Sequence, residues 1–140
     1  MKEYGFEDIE IGTKENFETT ITKEKQEMFC HLSGDCNPMH CDRGFAKSSG
    51  FDDVVVYGML TASFFSTLVG MFLPGKYALF QGMEKVMFHN PVYIDEPLEV
   101  EGTVIEKDER FSRIVIKAVI RGREKKKVCS ARLLVGVLKN

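Results

Sequence analysis

This chain has little excess charge of either sign. Its 19 Lys and Arg stand against 21 Asp and Glu, a net −2, and no long basic run occurs. No nucleic-acid partner is expected, because the chain offers it no electrostatic footprint. No export segment is expected either, since Met1–Asp8 mixes acids into what would be its apolar core. A cytoplasmic protein is the expectation. No repeat, low-complexity tract or Pro/Gly/Ser linker divides the 140 residues. That length suits one domain, 1–140, able to bury about two-thirds of its chain surface. With 44% hydrophobic residues, disorder is excluded.

Cysteines number four, Cys30, Cys36, Cys41 and Cys129, and none is arranged as Cys-x-x-Cys. Parity would allow two disulfides. Three of the four crowd into twelve residues with no export signal beside them, however, so reduced thiols are the better reading. Cys30, His31, Cys36, His40 and Cys41 also invite a zinc site. Structural zinc usually takes tight Cys pairs, and neighbours near a helix end point about 100° apart, so no metal is the favoured expectation.

What is present begins with an uncharged run from Val54 to Gly75. It reads as a buried helix rather than a membrane span. Gly58, Thr61, Ser63, Ser66, Thr67, Gly70 and Pro74 interrupt it, and its helical part, Met59 to about Leu73, is only about 22 Å long. Ahead of it, Thr13–Ile21 alternates as a strand. Thr22 offers an N-cap for a helix over Lys23–Leu32, with Met28, Phe29 and Leu32 as its apolar stripe. Ser33–Cys41 reads as irregular, and Asp42 can cap a short helix ending before Ser48-Ser49-Gly50. Beyond it, Tyr77–Phe88, Leu98–Lys107, Phe111–Arg121 and Lys125–Leu138 read as strands whose short connections imply an antiparallel meander. One apolar helix and one long antiparallel sheet pack best when the sheet curls round the helix, an α+β class. The open edge of such a sheet predicts dimerisation.

Ser33-Gly34-Asp35-Cys36-Asn37-Pro38-Met39-His40 carries the chemistry. Asp35 and His40 are five positions apart, which separates them by about 140° on a helix and puts them on opposite faces of a strand. They converge only through irregular backbone. Pro38 supplies it by lacking an N–H and by excluding Asn37 from helical geometry. An Asp and a neutral His gripping one water suit acid–base chemistry near neutral pH. The plainer reading stays open: Asp, Asn and Pro are ordinary turn formers, and His40 can cap the next segment. At Tyr57-Gly58-Met59-Leu60 a free N–H at the helix start could polarise a carbonyl, with Gly58 allowing close approach. Taken alone, Gly58 could equally just relieve crowding. His31 and His89 read as surface or cap residues.

The segment Asp35-Cys36-Asn37-Pro38-Met39-His40 resembles the Asp-x-Asn-Pro-x-His motif of the MaoC-like dehydratases, which include the (R)-specific enoyl-CoA hydratases. Asp42, Phe45-Ala46, Gly58-Met59-Leu60, Ala62-Ser63, Leu73-Pro74-Gly75-Lys76, Pro91-Val92-Tyr93 and Asp95-Glu96 follow the family in the same order. The resemblance starts near Phe6 and covers nearly the whole chain. It implies a hot-dog fold, a long antiparallel sheet wrapped around a central buried helix, working as a homodimer with higher assembly open. It implies reversible addition of water to a trans-2-enoyl thioester carried on CoA or a carrier protein, with no metal and no redox cofactor. By position, Asp35 and His40 would activate the water and deliver the α-proton. The Gly58 N–H would bind the thioester carbonyl, and Asn37 and Ser66 would support the dyad. The family commonly has His where this chain has Tyr57, which can hydrogen-bond but is no base at neutral pH. Tyr57 is therefore a candidate substrate-side contact. A thioesterase on the same fold and a non-catalytic acyl-CoA binder or dimerisation module are the rival readings.

Overall fold

The computed structural model describes residues 1–139. Its elements are β1 (Lys14–Thr19), α1 (Lys23–Ser33), α2 (Pro38–Cys41), α3 (Arg43–Ser48), α4 (Gly58–Thr67), β2 (Ala78–Phe88), β3 (Leu98–Asp108), β4 (Arg113–Arg121) and β5 (Lys127–Val137). The five strands form one antiparallel sheet in the order β1-β3-β4-β5-β2. Only β3, β4 and β5 are a meander. β2 pairs with β5 at the far edge, so the expected β2–β3 neighbourhood does not form and the 89–97 connection crosses the sheet. β5 is as long as β3 but carries fewer charges, and its pairing with β2 leaves the short, charged β1 to close the other edge against β3.

Registers place Val100, Gly102, Val104, Ile114, Ile116, Ala118 and Ile120 on one face with Cys129, Ala131, Leu133 and Val135. This face is buried against α4, whose Phe65 and the following Leu68 are fully enclosed. At Gly102 the turn that continues α4 comes close to the sheet. A Cβ there would stand 2.7 Å from Leu68 Cδ2 and 2.9 Å from Ile116 Cγ2. Phe17 of β1 completes the cover, stacked on Phe72 with centroids 4.9 Å apart. The sheet therefore wraps the helix as the apolar pattern predicted.

Three expectations change in detail. The uncharged helix leaves α geometry after Thr67 for a π-helical turn, Leu68–Phe72. Residues 33–41 are not wholly irregular, because Pro38 opens the one-turn helix α2. Its missing N–H costs nothing at that first position. Of the stripe on α1 only Phe29 turns inward: Met28 is 63% and Leu32 84% exposed, whereas Gln26 is buried. Thr22 and Asp42 cap their helices as predicted, accepting from the N–H groups of Lys25 and Phe45.

Candidate functional site

Residues 22–57 fold over the start of α4, and Gln26 is the pivot. Its Nε2 donates to the carbonyls of His40 (3.3 Å) and Val55 (3.2 Å), and its Oε1 accepts from the Tyr57 N–H (3.4 Å). One amide thus ties α1, α2 and the strand-to-helix turn together. These bonds also decide which face of α1 turns inward, since Gln26, Phe29 and Cys30 share a face by their spacing. Sequence reasoning passed over Gln26, because a lone Gln among Lys and Glu gives no periodic signal.

His40 sits in α2 with Nδ1 2.6 Å from the Val55 carbonyl. A carbonyl only accepts, so Nδ1 carries a hydrogen, which leaves Nε2 as the ring nitrogen able to exchange a proton with a ligand. Asn37 caps α2 by accepting from the Met39 N–H at 2.9 Å. Its backbone is extended at φ −56°, ψ 129°, as a residue before proline should be. The Asp35 carboxylate accepts from the Asn37 N–H at 3.0 Å and is otherwise exposed.

Tyr57 links the two motif residues. Its hydroxyl donates to the Asp35 carbonyl, and its ring lies against His40 with centroids 4.0 Å apart and planes at 31°. Phe29 packs on it from α1 at 4.9 Å. Burial above all, then the Cys30 and Cys41 contacts, pushes its phenol upward from the ordinary tyrosine range, so it remains a donor. Tyr57 is 2% exposed, held between Phe29 and His40 with an edge on the larger cleft.

His40 lines two clefts. One, of about 390 Å³, is shared with Gly58, Thr61, Phe88, His89 and Pro91. The other, of about 760 Å³, is shared with Gln26, Cys30, Tyr57 and the Arg43–Asp53 ion pair on its rim. Gly58 is the first residue of α4, and its N–H meets no acceptor among the described residues. A Cβ on Gly58 would stand 3.1 Å from the Phe88 ring, so glycine keeps this corner of the cleft open. Thr61, three residues on and on the same helical face, has a buried hydroxyl with no hydrogen-bond partner. That i+3 spacing from Gly58 was a signal the sequence already held.

Asp35 lines neither cleft, and it meets His40 only through Tyr57. Ser66 lies exposed two turns along α4, about 12 Å from Gly58 at the helical rise, with no contact to the other candidates within this chain. His31 is exposed, whereas His89 hydrogen-bonds Ser130 at 2.7 Å on the rim of the smaller cleft. Among the described residues no three His, Cys, Asp or Glu converge as metal ligands would.

A five-stranded antiparallel sheet wrapped round one helix is the hot-dog fold. The chain belongs to the MaoC-like domain family, whose model matches residues 7–125. It is 33% identical over 116 residues to the (R)-specific enoyl-CoA hydratase of Aeromonas caviae, covering 81% of this chain and 86% of that protein. A mitochondrial 3-hydroxyacyl-[acyl-carrier-protein] dehydratase of Solanum lycopersicum is 30% identical over 117 residues, 81% of this chain and 69% of its own. The solved R-hydratase PhaJ1 of Pseudomonas aeruginosa superposes with a TM-score of 0.90 at 25% identity, covering 97% of this chain and 86% of that one.

Proposed function

We propose that this chain is a hydro-lyase, an (R)-specific 2-enoyl-thioester hydratase that also runs in reverse as a 3-hydroxyacyl-thioester dehydratase. The observation that carries the reading is His40: Val55 fixes its tautomer, and its ring lines the cleft at which the free Gly58 N–H stands. In the forward direction, water oxygen bonds to C3 as the Asp35–His40 pair takes its proton. The electrons of the double bond move toward the thioester carbonyl, and a proton is then delivered to the α-carbon. The Gly58 N–H, with the α4 dipole behind it, stabilises the enolate-like oxygen. The Thr61 hydroxyl offers a second polar atom on that wall. Asn37 holds α2 in place, and Tyr57 couples Asp35 to His40. The reaction so written uses no metal and no redox cofactor.

The acyl carrier is CoA or a carrier protein. A homodimer is proposed, because β2 leaves an open sheet edge with Leu79, Met83, Met87 and Phe88 all exposed. The opposite edge, β1, is short and charged. No helix is long and apolar enough to cross a membrane, and a cytoplasmic location is proposed with no nucleic-acid partner.

The test follows trans-2-enoyl thioesters of CoA and of a carrier protein by loss of the enoyl chromophore and by thiol release. Chromophore loss without thiol supports hydration. Thiol release would mark a thioesterase. Binding with neither signal would mark a non-catalytic module and overturn the proposal.

A further inference from the structure

Three cysteines surround the motif in a way that hydration does not use. Cys30, near the end of α1, and Cys36, the residue after Asp35, bring their Sγ atoms to 3.7 Å. Cys36 is exposed and Cys30 half-buried, so a small oxidant reaches both, whereas Cys129 is enclosed under the sheet. Cys41 points elsewhere, 3.6 Å from the Tyr57 hydroxyl. The Cys30 thiol is held below its ordinary value by the Tyr57 hydroxyl and by Cys36. That hydroxyl's single proton already goes to the Asp35 carbonyl, so the Cys36 contact is the firmer cause. Cys36 is pushed the other way by its hydrogen bond with Cys30. One thiol disposed to ionise beside one disposed to keep its proton is the asymmetry of an attacking and a resolving thiol.

We propose that Cys30 and Cys36 form a peroxide-reactive dithiol whose oxidation to a disulfide shuts the adjoining site. The Cys30 thiolate attacks hydrogen peroxide, so that an S–O bond forms, the O–O bond breaks, and the departing hydroxide takes up the proton that the thiol had released and leaves as water. Cys36 then attacks the Cys30 sulfur of the sulfenic acid, forming S–S, breaking S–O and releasing a second water. Two thiols lose two hydrogens, and one peroxide becomes two waters. A disulfide spans about 2.05 Å, so the sulfurs, 3.7 Å apart, close by roughly 1.7 Å. α1 is held through Gln26, so the yielding side is the turn beginning at Gly34, whose φ is 74°. Closing it drags Asp35, whose carbonyl anchors Tyr57, and Tyr57 lies on His40. The Cys30–Cys36 pairing stands on geometry and exposure, while the shut-off rests on the hydratase reading.

The test treats the full chain with hydrogen peroxide, alkylates the remaining thiols, maps peptides by mass, and assays enoyl-thioester turnover before and after dithiothreitol. Cys30→Ser and Cys36→Ser are each compared with their own reduced form. We expect a Cys30–Cys36 cross-linked peptide lighter by two hydrogens. Turnover should fall at least about tenfold and return on reduction, since displacing a reacting group by an ångström can cost more than that. Either Ser variant abolishes both effects. Alkylation of both cysteines after peroxide, or a bridge to Cys41 instead, overturns the dithiol. A Cys30–Cys36 bridge with full turnover overturns the shut-off. If the reduced protein turns over no enoyl thioester, the hydratase reading and the shut-off fall together, and the mass map alone decides the dithiol.

Discussion

The sheet with α4 and the segment from Thr22 to Tyr57 are stabilised by different forces. In the first, Phe65, Leu68, Ile116 and Leu133 are fully enclosed and contribute through apolar burial. In the second, a few hydrogen bonds made by the side chains of Gln26, Asn37, Asp42 and Tyr57 hold short helices whose outer faces are exposed. Burial is distributed and tolerant of relaxation, whereas a directed hydrogen bond either sets an angle or fails. Acid–base chemistry needs angles, and the candidate site lies in the second region, braced against the first at Gly58.

That contrast can be broken from either side. Phe65→Ala, in the apolar region, should cost about 3–5 kcal/mol of unfolding free energy, read by denaturant titration. His40→Ala and Asp35→Asn should each lower hydration at least about 100-fold, about 2.7 kcal/mol of barrier, with unfolding midpoints near wild type. The fold survives because Gln26 still serves the Val55 carbonyl, and an Asn at 35 can still accept from the Asn37 N–H. Full activity in either variant would sink the mechanism.

Burial under the sheet pushes the Cys129 thiol from an ordinary 9.0 up to about 11. The native state therefore keeps a proton that the unfolded chain loses, and stability falls as pH climbs through that window, by about 2–3 kcal/mol. Unfolding curves at stepped pH check this. Cys129→Ala should flatten the slope, and an unchanged slope would assign it elsewhere. Gln26→Leu leaves the His40 and Val55 carbonyls and the Tyr57 N–H short of a partner, at about 1–3 kcal/mol. Its kcat should fall more than its stability predicts, with KM nearly unchanged, and rescue by Gln26→Asn would argue against a length-specific tie. Leu32→Ser, on the exposed flank of α1, should change stability by less than about 0.5 kcal/mol, read in the same titration.

Local chemistry by itself determined a good deal of this protein. Period-two alternation in Ile114–Ile120, the caps at Thr22 and Asp42, and the uncharged run after Val54 specify their elements through contacts within a few residues. The Asp-x-Asn-Pro-x-His spacing likewise specifies a turn, because Pro38 constrains Asn37 through its own ring. Tertiary structure decided what depends on distant partners: that β2 joins β5 rather than β3, that Gln26 and not Met28 faces inward on α1, that Tyr57 joins Asp35 to His40, and that Cys30 meets Cys36. No periodicity encodes these pairings. Each is the outcome of competition for a partner, won by whichever polar atom would otherwise be buried unpaired or whichever strand offers the less charged edge.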